Sequence, residues 1–174
     1  MPSLKKLLLW TGLIFAFSYQ LAFAETQAIT RSNADLTLEG ARKIAAHLEK
    51  ASDELGKKIA IAIVDSKGEI ILLVRGDGVG PHNVEAARRK AYTSLSTKTA
   101  TLELARKSRA NRDTENLAQL PELLLLGGGQ PLWSAGNLVG AVGVAGGGGP
   151  ENDDLIASKS AQAGPGLNIK NETK

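Results

Sequence analysis

Apolar positions between residues 38 and 55 recur every three or four residues, which is the spacing of one face of an amphipathic helix. Asp35 or Thr37 can cap the start of this helix. Two β-branched runs follow at residues 58–64 and 69–75, with an Asp-Ser-Lys-Gly turn between them. The pattern predicts a β-hairpin whose first strand carries isoleucines on one face and alanines on the other.

A second helical pattern begins near Asn83, which can act as its N-cap. Hydroxyl-bearing and β-branched side chains at residues 94–101 disfavour a helix interior, so we expect this helix to end there. A further helix is predicted at residues 102–108, followed by a polar loop through residues 109–121.

The last third of the chain is rich in glycine, with ten glycines among residues 127–149. Short apolar runs predict strands at residues 123–126, 131–134 and 138–145, and a final helix begins near Pro150. One face of the last predicted strand is nearly smooth, like the alanine face of the first. Side by side, these small faces would let a helix or, less commonly, a flat ligand approach closely.

Together these patterns predict one α/β (α+β) domain, with a five-stranded, largely antiparallel sheet and helices on both faces. We expect this domain at residues 35–164, between a flexible lead-in at residues 25–34 and a disordered tail at residues 165–174.

The first 24 residues have the layout of a secretory signal peptide. Lys5 and Lys6 precede an apolar run at residues 7–17, and Ala-Phe-Ala ends at Ala24. Cleavage there would leave residues 25–174, and we expect a periplasmic or secreted protein with no membrane attachment. An uncleaved anchor is the alternative, although the run is shorter than the ~20 residues that span a bilayer.

Composition excludes several classes of site. The chain has no cysteine, so it has no disulfide, thiolate nucleophile, Cys-ligated zinc or iron–sulfur cluster. Removing the leader takes two of the 21 basic residues and lowers the formal net charge from +3 to +1, which argues against nucleic acid as a partner. The sequence shows no i,i+4 histidine pair, Gly-x-Ser-x-Gly elbow or Walker loop.

The densest group of reactive side chains lies on the second predicted helix. Three consecutive cations, Arg88, Arg89 and Lys90, precede Tyr92 and Thr93. Consecutive helix positions fan out by about 100°, so only one or two of the cations can bind a single anion. Tyr92 and Thr93 can supply oxygen donors on the inner side. The alternative is a solvated basic face with Tyr92 in the core.

Two glycine runs and one histidine leave similar alternatives open. The runs at residues 127–129 and 146–149 either expose backbone amides to an anion or make tight turns between strands. His82, in the Gly/Pro loop before the helix, is either a ligand or an ordinary exposed loop residue.

Several ordered motifs resemble the haem-binding HbpS/GlcG family, over about residues 35–164. They are Leu-Thr-Leu-Glu-Gly-Ala at 36–41, Arg-Gly-Asp-Gly-Val-Gly-Pro at 75–81, Arg-Lys-Ala-Tyr-Thr at 89–93, Gly-Gly-Gly-Gln-Pro-Leu at 127–132 and Val-Gly-Val-Ala-Gly at 142–146. The resemblance implies a profilin-like domain that forms homo-oligomers, octamers in some members. It also implies haem binding in the exported branch, while other branches accompany glycolate metabolism or cobalamin enzymes.

The resemblance also implies a haem site on the second predicted helix. Thr93 matches the position of a threonine iron ligand, and Thr97 is the other candidate. Arg88, Arg89 and Lys90 would then hold the propionates, with Tyr92 beside the haem and His82 as an alternative iron ligand. A threonine hydroxyl is a weak iron ligand, so binding would depend on apolar contact and the cations.

The leading hypothesis is therefore an exported haem-binding protein that scavenges, stores or senses haem. The enzyme alternative is haem degradation or another cofactor-dependent oxidation, for which the sequence supplies no evident acid–base pair. The third reading is a structural homo-oligomer without a small ligand.

Overall fold

The isoleucine and alanine faces of the first strand define the two layers of the fold. The computed structural model describes residues 33–171, and the predicted leader lies outside them. The helices are α1 (Leu38–Glu54), α2 (His82–Thr97), α3 (Thr101–Ala110) and α4 (Pro150–Ser158). The strands are β1 (Ala60–Asp65), β2 (Ile70–Arg75), β3 (Gly129–Ser134), β4 (Asn137–Ala145) and β5 (Leu167–Asn168), and short 3₁₀ helices lie at Glu115–Gln119 and Lys159–Gln162.

The five strands form one sheet in the order β2-β1-β4-β3-β5, and every neighbouring pair is antiparallel. β1 and β4 form its centre, with Ala60 opposite Ala145 and Asp65 opposite Gly140. The two strands are buried along nearly their whole length. The predicted five-stranded antiparallel sheet is thus confirmed.

Helices cover both faces of the sheet, as predicted. α1 and α4 pack on the isoleucine face, where Ile44 and Leu48 of α1 and Ile156 of α4 join a cluster with Ile61 and Ile63. On the alanine face, α2 contributes its own small residues to a second cluster. The members of that cluster on α2 and the two central strands include Ala60, Ala62, Ala87, Ala91, Ala141 and Ala145.

The close approach of α2 explains the smooth face of β4. A side chain at Gly143 would run into the main chain of α2 at the Ala87 carbonyl oxygen and the Ala91 amide. The small surface therefore receives a helix, which is the commoner of the two occupants expected from the sequence.

One predicted strand is absent, and one strand of the sheet was not predicted. Residues 123–126 form no strand, because their backbone groups bind side chains of α2 rather than a neighbouring strand. The fifth strand is β5, which pairs with Trp133 and Ser134 of β3 and lies inside the tail predicted to be disordered. A register shift in β4 also exchanges two side chains, so Val139 joins the isoleucine cluster and Leu138 the alanine cluster.

The predicted helix ends agree with the structure at two positions and differ at one. Thr37 caps α1 by accepting a hydrogen bond from the Gly40 amide. α2 begins at His82, one residue before the predicted cap, and the Asn83 amide side chain instead donates to the Gly80 carbonyl. The predicted break is present, because Lys98 adopts a left-handed conformation with φ 53° and ends α2.

Candidate functional site

The predicted site residues on α2 face the loop that precedes β3. Arg88 forms ion pairs with Glu85 of its own helix and with Glu122, at 2.8 and 2.9 Å between its Nη2 and the carboxylate oxygens. Hydrogen bonding to Arg88 lowers the pKa of Glu85. The network keeps the Arg88 guanidinium charged and directed toward Glu122.

The two neighbouring residues of that loop bind α2 as well. Arg89 Nη2 donates to the Leu123 carbonyl oxygen at 2.6 Å. The Thr93 hydroxyl accepts from the Leu124 amide at 2.8 Å and donates to the Arg89 carbonyl oxygen at 2.7 Å. Arg88, Arg89 and Thr93 therefore each contact one of three consecutive residues, and we call residues 120–126 the leucine segment.

This segment closes over Thr93. The Thr93 side chain is completely buried, and its hydroxyl already makes one donated and one accepted hydrogen bond. In this arrangement the hydroxyl is bound to the backbone of α2 on one side and to the backbone of the leucine segment on the other. An iron contact at Thr93 therefore requires the leucine segment to move.

Arg89, which contacts the leucine segment beside Thr93, has one hydrogen-bond donor without an acceptor. Its Nε is buried and has no hydrogen-bond partner within the described part of the chain. A guanidinium binds carboxylates best through paired N–H groups, and a buried donor without a partner is destabilising. The residue thus has a donor available for an added acceptor, which suits a carboxylate.

The position of Lys90 contradicts its predicted role as a propionate ligand. Its side chain is 1% exposed and its Nζ donates to the Val144 carbonyl oxygen at 2.9 Å and to Asp153 Oδ2 at 2.7 Å. Burial lowers the pKa of Lys90, and the Asp153 carboxylate opposes that shift. The amine is enclosed between α2, β4 and α4, so it cannot hold a propionate on the surface.

The remaining predicted residues do not share one site. Tyr92 is half-buried with its ring against Gly68 of the β1–β2 turn, and His82 is exposed at the first position of α2. The eleven-residue separation of His82 and Thr93 corresponds to roughly 16 Å along a helix, so the two side chains are too far apart to contact one metal ion together. Thr97 lies one turn beyond Thr93 and donates to its carbonyl oxygen at 2.7 Å.

Sequence reasoning missed two buried anchors behind α2. Asp153 accepts from Lys90 and, through Oδ1, from the Gly147 amide at 2.7 Å, although its position suggested only helix-start charge. Thr101 donates to the Leu126 carbonyl oxygen and accepts from the Gly129 amide. A signal for the first was present, because Lys90 lies beside the buried stripe of α2 and a buried cation needs a partner.

Residues 33–171 contain no group of three His, Asp or Glu side chains that could hold a metal ion. No helix among them is both long and apolar enough to cross a membrane.

A family model described as haem-degrading protein HbpS-like matches residues 36–162. The chain belongs to the HbpS-like family. Crystallised HbpS of Streptomyces reticuli, in a double-mutant form, is 34% identical, with a TM-score of 0.71 over 76% of this chain and 89% of that one. A 15.0 kDa protein encoded between dhaT and dhaS in Citrobacter freundii, uncharacterised, is 31% identical over 71% of this chain and 88% of its own.

The fold of this HbpS-like chain also matches a protein solved with haem. The PduOC:heme complex superposes with a TM-score of 0.69 over 79% of this chain and 99% of that one, at 24% identity. That likeness concerns the fold. The profilin-like, haem-related family expected from the sequence motifs is confirmed.

Proposed function

We propose that this HbpS-like protein binds haem at the surface of α2 beneath the leucine segment. On this proposal it is exported, assembles as a homo-oligomer and scavenges, stores or senses haem. The family match over residues 36–162 supports haem as the ligand. The structural observation that carries the location is the buried, unpartnered Nε of Arg89, which lies next to Thr93 and Arg88 on α2.

The propionates would be held by Arg88 and Arg89. Arg89 has a free donor for a carboxylate, and Arg88 already binds two carboxylates, Glu85 and Glu122. A propionate that replaced Glu122 would keep the Arg88 guanidinium paired while releasing the leucine segment. Lys90 takes no part, because it is enclosed in the core.

The leucine segment would supply apolar contact once it has moved. Leu120 and Leu126 are 52% and 37% exposed, so the segment already presents apolar side chains to solvent. Residues 122–124 form no strand and are bound by side chains of Arg88, Arg89 and Thr93, so displacing them breaks these contacts and exposes Leu123 but breaks no sheet pairing. The Thr93 hydroxyl would then lose the Leu124 amide and become available to iron as a weak oxygen ligand.

Hemin titration of the purified protein, followed in the Soret region, tests the proposal. We expect a saturable change, with weaker binding in Arg89→Gln and both weaker binding and an altered Soret maximum in Thr93→Val. Arg42→Gln, which removes an exposed cation from α1, is the matched control and should bind like the unmodified protein. No saturable change, or Soret spectra and affinities that are identical in all four proteins, would refute the proposed site.

Opening of the leucine segment gives a second readout that does not depend on haem spectra. Amide hydrogen exchange at Leu124 reports its hydrogen bond to Thr93. Thr93→Val and Glu122→Gln should both accelerate exchange of residues 122–124 without hemin, and hemin should accelerate it in the unmodified protein. Slower exchange on adding hemin would show that the segment closes rather than opens.

The enzyme alternative is favoured by one observation, the description of the matching family as haem-degrading. It predicts that the Soret band of the bound haem disappears with reductant and oxygen in the presence of catalase, and that a defined product forms. A Soret band that persists under these conditions identifies a binding protein.

Export and assembly have separate tests. N-terminal sequencing of protein from the periplasm or medium should begin at Glu25, and full-length protein in the membrane fraction would indicate an anchor. Light scattering should give a mass several times that of one chain. An oligomer that binds no haem would favour the structural reading.

A further inference from the structure

A cleft outside the α2 surface lies where α2 passes into α3, along the outer edge of β3. Within the described residues, β5 pairs with β3 only at Trp133 and Ser134, which leaves the edge at Gln130 and Pro131 without a strand. Two adjoining depressions of about 410 and 360 Å³ meet there and share five lining residues, Ala100, Glu103, Gln130, Ile169 and Lys170. We call them the junction cleft, and each lies in the size range of small-molecule sites.

One wall of the junction cleft is apolar. Trp133 and Ile169 are half-buried and line the same depression as the buried Pro131. Proline suits this position because an unpaired strand edge does not need its amide. An indole ring with an exposed side next to an aliphatic side chain is a favourable surface for a flat ring.

The rim of the same depression carries two cations. Lys98 and Lys170 are exposed and form no ion pair within residues 33–171. Glu103, the carboxylate that also lines this depression, is paired with Lys107, and Arg106 of the adjoining depression is paired with Glu151. Lys98 is also one of two non-glycine residues with positive φ in that part of the chain. Such a backbone is uncommon for lysine, and it places the side chain at the corner between the two helices.

The other wall contains a buried amide and a carboxyl group. Gln130 is 4% exposed and donates from Nε2 to Asp154 Oδ1 at 3.0 Å. Burial raises the pKa of Asp154, and hydrogen bonding from the Gly128 amide opposes this shift. This wall is fixed by hydrogen bonds within the protein, so the cleft is present without a ligand.

We infer that the junction cleft binds a small carboxylate with a flat apolar body. The ring packs against Trp133 and Ile169, and the carboxylate lies at the rim between Lys98 and Lys170. This site shares no residue with the haem site on α2 and does not depend on it.

Titration with 1-naphthoate, which has a flat ring and one carboxylate, tests the inference by calorimetry on the full chain. We expect saturable binding with one ligand per chain. Lys98→Asn and Lys170→Gln should each weaken it about fivefold, the upper end for an exposed ion pair. Asparagine tolerates the left-handed backbone at Lys98, so that variant should fold normally, as circular dichroism can verify. Lys67→Gln, an exposed charge in the β1–β2 turn, is the matched control.

Two further measurements distinguish a specific site from general apolar adsorption. 1-Naphthalenemethanol, which lacks the charge, should bind the unmodified protein more weakly than 1-naphthoate does. Its affinity should be the same for Lys98→Asn as for the unmodified protein. 1-Naphthoate should quench tryptophan fluorescence of the unmodified protein saturably, with the same midpoint as the heat, and the midpoint should shift in Lys98→Asn. Absence of saturable heat, or affinities unchanged by both lysine variants, would overturn the inference. A hemin affinity that falls in Lys98→Asn but not in Thr93→Val would also overturn it, because the cleft would then be the haem site.

Discussion

The buried Lys90–Asp153 pair joins three elements and gives the sharpest stability prediction. Lys90→Met keeps the length and apolar stem of the side chain but leaves Asp153 Oδ2 without its cation at a position where that side chain is 7% exposed. Breaking a buried ion pair by removing one partner costs about 3–5 kcal/mol. We therefore expect Lys90→Met to lose about 3 kcal/mol of unfolding free energy, which lowers Tm by roughly 10 °C for a domain of this size.

A double-mutant cycle separates the pair from the packing around it. Asp153→Asn alone leaves the Lys90 ammonium with the Val144 carbonyl but no carboxylate, and it should also be destabilising. Combined with Lys90→Met, it leaves no buried charge, so the double variant should be more stable than the two single losses predict, by about 2 kcal/mol or more. The measurement is urea unfolding at pH 7, followed by circular dichroism.

Either of two results would refute this reasoning. One is a loss below about 1 kcal/mol for Lys90→Met, which is the range of exposed ion pairs. The other is strict additivity in the cycle, which would mean that Lys90 and Asp153 stabilise the fold independently.

Three further predictions concern the sheet and one cleft residue. Gly143→Ala should lose at least about 2 kcal/mol in urea unfolding because its methyl group meets the α2 main chain, whereas Gly164→Ala, with open space around it, should change stability by less than about 0.5 kcal/mol. Ala135→Asn should raise the free energy of unfolding by up to about 1 kcal/mol, because residue 135 in the β3–β4 turn has a left-handed backbone with φ 47°, which asparagine tolerates better than alanine. A Tm equal to or lower than that of the unmodified protein would contradict this strain. Asp154 has a raised folded-state pKa, so its contribution to stability falls as pH rises from its unfolded pKa through that higher value. Asp154→Asn should therefore gain stability relative to the unmodified protein between pH 3 and pH 7, and a constant difference would refute the shift.

Local patterns were sufficient for most of the fold. The periodicity of α1, the hairpin of β1 and β2, and the break at Lys98 each depend on residues close together in sequence, so the sequence predicted them correctly. The smooth face of β4 predicted close approach by a helix or, less commonly, a flat ligand, and the structure places α2 there.

Contacts between distant residues limited the rest. Residues 123–126 have the composition of a strand, but side chains of Arg89 and Thr93, some thirty positions earlier, occupy their backbone groups. β5 is only two residues long and forms by pairing with Trp133 and Ser134, which lie more than thirty positions earlier on the outer edge of β3. Neither fact is visible in a local window.

The candidate site was predicted in part. Helical spacing places Arg88, Arg89 and Thr93 on one side of α2, and the structure shows that they meet a single segment. The same spacing did not reveal that Lys90 faces Asp153, since that carboxylate lies sixty-three positions later in the chain.

The position of β1 at the centre of the sheet has a consequence during synthesis. Its partner on one side, β2, follows directly, but its partner on the other side ends at Ala145, opposite Ala60 and 85 positions downstream. Loop closure over such a distance is slow, so an emerging polypeptide can form only the hairpin at first. Until β4 has left the ribosome, the edge of β1 that pairs with it has no partner strand, although α1 is already synthesised and can cover the isoleucine face. A chaperone that recognises unpaired aliphatic strands would find its binding site along that edge of β1.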